Sequence, residues 1–139
     1  MKSSFFQNLE TFGCNQAVPL GQVIEQLVFN EQGLIPIITQ DVESKEVLML
    51  AWMNQKALQQ TLATRRMTYW SRSRNEIWVK GETSGNYQTL KSMCFDCDGD
   101  AVLCLVTQQG AACHTERKNC FYIEAQKLNN RAVVTSSVS

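Results

Sequence analysis

Five consecutive residues, Asp96-Cys97-Asp98-Gly99-Asp100, crowd three carboxylates and a thiol into one short stretch. Carboxylate oxygens suit a hard ion such as Mg²⁺, whereas a thiolate suits Zn²⁺. An extended backbone would alternate side chains between faces, with Asp96, Asp98 and Asp100 on one side and Cys97 on the other. One strand would then serve two different metals. A solvated acidic turn around Gly99 accounts for the same residues equally well. A calcium loop does not, because with Asp96 as its first position the required glycine falls on Ala101 and the bidentate glutamate on Thr107.

Cys113 and Cys120 bracket the chain's only histidine, His114. Together with Cys97 they would give Zn²⁺ three thiolates and one open position, which distinguishes a catalytic site from a closed structural one. Water bound there would ionise nearer neutrality and supply hydroxide, although three thiolates soften the effect. His114 is the candidate base, set against the more common use of a lone histidine as a structural hydrogen-bonding residue. Cys94 and Cys97 form a C-x-x-C, but on a strand they face opposite ways, so Cys94 is left out. Cys104, within the apolar run 101–106, reads as a small core residue.

Two segments could hold phosphate. Trp70, Arg72 and Arg74 lie in the first, and Lys80, Thr83 and Ser84 in the second, where hydroxyl and cationic donors stand beside Gly81 and Gly85. Solvated loops are the bland alternative, and the tryptophans serve core packing more often than base stacking.

The elements that must position these residues can be read from the same sequence. Residues 1–18 form an N-terminal extension without a clear pattern. Pro19 to Leu27 reads as a short helix with Val23, Ile24 and Leu27 on one face. Strands are expected over 34–41 and 47–53, joined by the polar turn 43–46. Asn54 is placed to cap a helix over 55–65, where Ala57, Leu58, Thr61 and Leu62 recur at helical spacing. Further strands are expected over 67–71, 77–80, 90–98, 101–107 and 120–124, with a disordered polar tail from Gln126. The sum is α+β, strand-rich and mostly antiparallel, with one or two short helices and a main domain spanning 19–125.

Composition sets the bounds. The chain has 139 residues, 44% apolar and 19% charged, which suits a single domain with its own core. Its 13 basic and 13 acidic residues cancel, so no nucleic-acid partner is expected. The sequence has no apolar stretch of membrane-spanning length and no secretory signal, so a soluble, cytoplasmic protein with reduced thiols is expected.

Read in order, the motifs resemble those of the phosphoribosyl-AMP cyclohydrolases. They run from Gly33-Leu34-Ile35-Pro36 and Gln40-Asp41 through Leu48-Met49-Leu50-Ala51-Trp52-Met53-Asn54, Tyr69-Trp70-Ser71-Arg72-Ser73-Arg74 and Trp78. They continue through Lys80-Gly81-Glu82-Thr83-Ser84-Gly85-Asn86, the acidic stretch 96–100, Cys113-His114-Thr115 and Cys120-Phe121-Tyr122. The resemblance implies an intertwined homodimer with Zn²⁺ on Cys97, Cys113 and Cys120 and Mg²⁺ on Asp96, Asp98 and Asp100. Cys97 would come from one subunit and the other two thiolates from its partner. It implies the third step of histidine biosynthesis, in which zinc hydroxide opens the adenine N1–C6 bond of 1-(5-phosphoribosyl)-AMP to give the formimino carboxamide ribonucleotide. His114 would move protons, and Trp70, Arg72, Arg74, Lys80, Thr83 and Ser84 would meet the substrate. The chain departs from the family's usual Gly and Ser at Glu116 and Asn119, and from its usual acidic residue at Lys56.

Two other readings compete. His114-Thr115-Glu116 resembles the H-x-E of zinc-dependent base or nucleoside deaminases, but in those the C-x-x-C follows H-x-E and is preceded by proline, where this chain has Met93. A noncatalytic zinc-binding module is the other alternative, and the balanced charge and lack of a nucleic-acid-binding motif weigh against it.

Overall fold

The computed structural model describes residues 3–138. Its centre is a four-stranded sheet in the order β2-β1-β6-β5, made of β1 (Ile35–Asp41), β2 (Val47–Met53), β5 (Gln88–Phe95) and β6 (Val102–Gln108). β1 and β2 form an antiparallel hairpin, and so do β5 and β6, while β1 runs parallel to β6 from Ile37↔Val102 to Asp41↔Val106. Alternation along β1 turns Ile35, Ile37 and Thr39 inward to the core. On the opposite face Leu50, Ile38, Leu103 and Cys94 stand side by side across all four strands.

Helix α3 (Gln55–Thr64) begins where the Asn54 side chain accepts the Ala57 N–H at 2.8 Å. It buries Ala57, Leu58 and Thr61 and ends at Arg65 in the left-handed conformation. The helix leads into the small antiparallel pair β3 (Thr68–Ser71) and β4 (Glu76–Val79). Helix α2 (Leu20–Gln26) lies within the expected span, and its Val23 is buried, as is Leu27 just beyond it. A polar thread runs through the core. The Tyr69 hydroxyl lies 2.8 Å from Thr39 Oγ1 and donates to Gln88 Oε1 at 2.6 Å, and Gln88 Nε2 donates to Gln108 Oε1 at 2.8 Å. Burial pushes the Tyr69 phenol far up, so it remains a neutral donor. Cys104 is likewise pushed up to about 12 by burial, as suits a core thiol.

The α+β, strand-rich reading holds, and three features go beyond it. Helix α1 (Ser4–Leu9) forms in the segment where no element is expected, capped by Ser3 and anchored by the buried Phe6. The expected strand at 120–124 starts only at Ile123, because the Cys120 amide is drawn to the Leu48 carbonyl (2.7 Å) and the Phe121 amide to Asn119 Oδ1 (2.7 Å). The polar tail is not disordered throughout: β7 (Ile123–Gln126) turns at Asn130, which tolerates a φ of 51°, and pairs with β8 (Arg131–Val134). Among the described residues no helix is long and apolar enough to cross a membrane.

Candidate active site

The loop after β4 begins at Gly81, whose φ of +86° and tight packing admit only glycine. A Cβ there would lie 2.4 Å from the Asn86 carbonyl carbon. This fold-back opens one wall of a cleft of about 460 Å³, lined on that side by Lys80, Thr83 and Ser84 with Arg74 beside them. The other wall is the loop after β6, which contributes Cys113, His114 and Glu116.

Lys80 is only 9% exposed, and its ammonium points inward, donating to the Ala112 carbonyl at 2.5 Å and lying 5.4 Å from the centre of the Trp78 ring. Burial lowers its pKa, with partial compensation from Cys120 and Cys113 nearby. Cys113 sits at the head of a tight turn in which the Glu116 amide bonds back to its carbonyl at 3.0 Å. Burial opposes ionisation of Cys113. Hydrogen bonds from the Thr115 hydroxyl (3.0 Å) and amide (3.5 Å), helped by Cys120 and Lys80, more than offset this and hold its pKa below the ordinary thiol value. Cys120 is pushed up to about 11 by burial and by the neighbouring Cys113. The two thiols therefore behave as a coupled pair, in which Cys113 is the one favoured to ionise.

The acidic stretch lies elsewhere, and it is not extended. β5 ends at Phe95, and residues 96–100 make the turn into β6, closed by the Gly99 amide on the Asp96 carbonyl at 3.1 Å. The Asp96 carboxylate accepts the amides of Asp100 (2.9 Å) and Ala101 (3.3 Å). The alternation of faces proposed for a strand therefore does not apply, because the hydrogen bonds of the turn override it. Partial burial raises the Asp96 pKa, but those backbone hydrogen bonds dominate and lower it. Asp100 is raised by its hydrogen bond with Asp96, by burial and by the charges of Asp96 and Asp98.

Among the described residues no three His, Cys, Asp or Glu side chains are gathered so as to hold a metal ion within this one chain. The donor chemistry nevertheless matches the expected ions. Two adjacent soft thiols, one already inclined to ionise, would suit part of a zinc set, and carboxylates whose charges oppose one another would be relieved by a hard cation. Cys97 is separated from the thiol pair and lies beside Asp96 and Phe6.

Of the residues marked in the sequence, the cleft gathers Arg74, Lys80, Thr83, Ser84, Cys113 and His114. It does not gather Trp70, which pairs across to Ile77 on β4, or Arg72, whose guanidinium lies 5.0 Å from the centre of the Trp52 ring. Thr115 was not singled out for a role. Its spacing of two from Cys113, a common side-chain turn, was the available signal.

With this geometry established, comparison with known proteins gives the class. The chain matches the phosphoribosyl-AMP cyclohydrolase family over residues 49–122. It is 55% identical over 117 residues to the phosphoribosyl-AMP cyclohydrolase of Hydrogenovibrio crunogenus, covering 84% of this chain and 80% of that protein. The protein of the same name from Magnetococcus marinus is 61% identical over 100 residues, 72% of this chain and 78% of that one. That of Roseobacter denitrificans is 53% identical over 111 residues, 80% of this chain and 87% of that one. These likenesses make the chain a hydrolase. More narrowly, it belongs to the phosphoribosyl-AMP cyclohydrolase family.

Proposed function

We propose that this chain hydrolyses the adenine N1–C6 bond of 1-(5-phosphoribosyl)-AMP in the cytoplasm, as a step of histidine biosynthesis. The observation that carries the reading is the thiol pair Cys113–Cys120 set beside a cleft that also presents His114, Thr83, Ser84 and Arg74. Cys97, Cys113 and Cys120 would hold Zn²⁺, and Asp96, Asp98 and Asp100 would hold Mg²⁺. When bound, these ions would acidify water and neutralise phosphate charge. In the reaction, the oxygen of water bonds to C6 and becomes the carboxamide oxygen, while N1 leaves carrying a proton. His114, exposed on the cleft wall, moves that proton. Thr83, Ser84 and Arg74 orient the phosphoribosyl groups, with Arg72 and Trp70 at a greater remove. Lys80 holds the thiol-bearing loop from behind.

The reading includes a homodimer with shared zinc sites. Two observations favour it: the third thiol lies away from the pair, and the outer sheet face carries an apolar row in which Leu50 is 49% and Ile38 37% exposed. A second copy would cover that row and supply the missing donor. The test is the ultraviolet change on mixing zinc-loaded protein with phosphoribosyl-AMP and Mg²⁺, with the ring-opened product confirmed by mass. Turnover abolished by zinc removal is the expected result, and no product from folded, metal-loaded dimer would defeat the reading.

A further inference from the structure

The N-terminal segment lies outside the residues 49–122 that match the family, yet it reaches the acidic turn. Phe6 of α1 is 4% exposed, and its ring fills the space where Gly99 lacks a side chain. A Cβ on Gly99 would lie 2.2 Å from ring Cε2 and 2.3 Å from Cζ. Gly99 itself has a φ of +71°. Its carbonyl accepts the Val28 amide at 2.8 Å, and its own amide donates to the Asp96 carbonyl at 3.1 Å. The corner of the turn is thus pinned on three sides: by the ring, by the chain leaving α2, and by Asp96. Phe6 also shares with Phe95, Asp96 and Cys97 the wall of a groove of about 310 Å³. A helix as short as α1 has little stability of its own, so it and the turn depend on the same aromatic contact.

We propose that Phe6 is a positioning residue for the divalent cation, its ring fixing the Gly99 corner and with it the spacing of the Asp96, Asp98 and Asp100 carboxylates. This rests on the Mg²⁺ reading of that turn. Phe6 touches neither substrate nor cation, and its effect passes through the backbone of Gly99. The contact comes from a segment that could vary without altering a single ligand, so cation affinity can be tuned from outside the site.

The test measures Mn²⁺ binding to the full-length, zinc-loaded protein by electron paramagnetic resonance, without substrate. The variants are Phe6→Leu, Phe6→Ala, Asp98→Asn and Leu58→Ala, the last a core truncation in α3. Each is read at a temperature where circular dichroism shows it folded. Phe6→Leu, which keeps most of the apolar volume, covers the case in which Phe6→Ala does not fold. The expected result is Mn²⁺ affinity weakened roughly tenfold by the Phe6 changes, as for residues that support metal ligands, and unaltered by Leu58→Ala. Wild-type affinity in folded Phe6 variants overturns the proposal, as does an equal loss in Leu58→Ala, which would mark a general effect of lowered stability. Mn²⁺ binding that survives Asp98→Asn overturns instead the cation reading beneath it.

Discussion

The ammonium of Lys80, at the end of β4, donates a 2.5 Å hydrogen bond to the carbonyl of Ala112, the residue immediately before Cys113. One buried side chain thus ties the small β3–β4 sheet to the loop that carries the thiols. Lys80→Met keeps the apolar stem but leaves that carbonyl without its charged donor. The expected cost is about 1.5–3 kcal/mol, the range for hydrogen bonds to charged groups, together with reduced zinc content. Urea unfolding and metal analysis check both, and an unmoved urea midpoint would reduce Lys80 to a bystander.

The proposal that zinc sites are shared between two subunits makes a prediction about mixtures. Cys97→Ala and Cys113→Ala are each expected to lose zinc and activity together. Co-expressed, they form mixed dimers in which one of the two sites has all three thiols, so about one quarter of the wild-type sites should return. If each chain completed its own site, the mixture would stay inactive.

Tyr69 bridges Thr39 and Gln88 in the core, at 2.8 and 2.6 Å. Tyr69→Phe leaves both partners short of a hydrogen bond away from water. It should destabilise the fold by about 1–3 kcal/mol, read as a lowered melting temperature. Since Tyr69 does not line the cleft, the KM of the folded variant should hold steady, and a large rise would place the tyrosine nearer the substrate than this fold allows.

Asp41 sets a pH dependence. Its carboxylate accepts the amides of Ser44 (3.0 Å) and Glu43 (2.9 Å), which lower its pKa below the ordinary 3.8. A lowered carboxylate stabilises the fold above its unfolded pKa and loses that contribution as pH falls through the folded one. Asp41→Ala should therefore melt earlier than wild type at pH 7, and the gap should close as the pH falls through the lowered folded pKa of Asp41. A gap independent of pH would point to lost packing.

Local signals were legible and distant ones were not. Asn54 as a cap and the spacing of Ala57, Leu58 and Thr61 marked α3, and two β-rich runs around the polar turn 43–46 marked the β1–β2 hairpin, with β2 found at the expected bounds. The Asp-Gly pair in the acidic stretch was itself a hairpin signal, and it outweighed the extended reading. Nothing in the alternation along β1 told that one neighbour would be the parallel β6, because inward and outward positions are the same whichever strand lies alongside. The inward turn of Lys80 was also hidden: its position beside glycines suggested a phosphate contact, and only the packing of a loop 32 residues away shows its carbonyl partner. Phe6 was unreadable for the same reason, since its partner Gly99 lies 93 residues away in sequence.

The parallel pairing of β1 with β6 has a consequence for how the molecule is made. It joins a strand from the first third of the chain to one from the last third, whereas the β5–β6 hairpin with its acidic turn is local. Local pairings close first, and distant ones wait on a larger entropic cost. On a ribosome the acidic corner can take shape while Cys113 and Cys120 are still being added or still unanchored. Pulse-labelled hydrogen exchange should find amides of the β5–β6 hairpin protected before those between β1 and β6. Simultaneous protection would argue for a single concerted collapse. With the staged order, a newborn chain acquires its acidic turn before the thiols find their lysine.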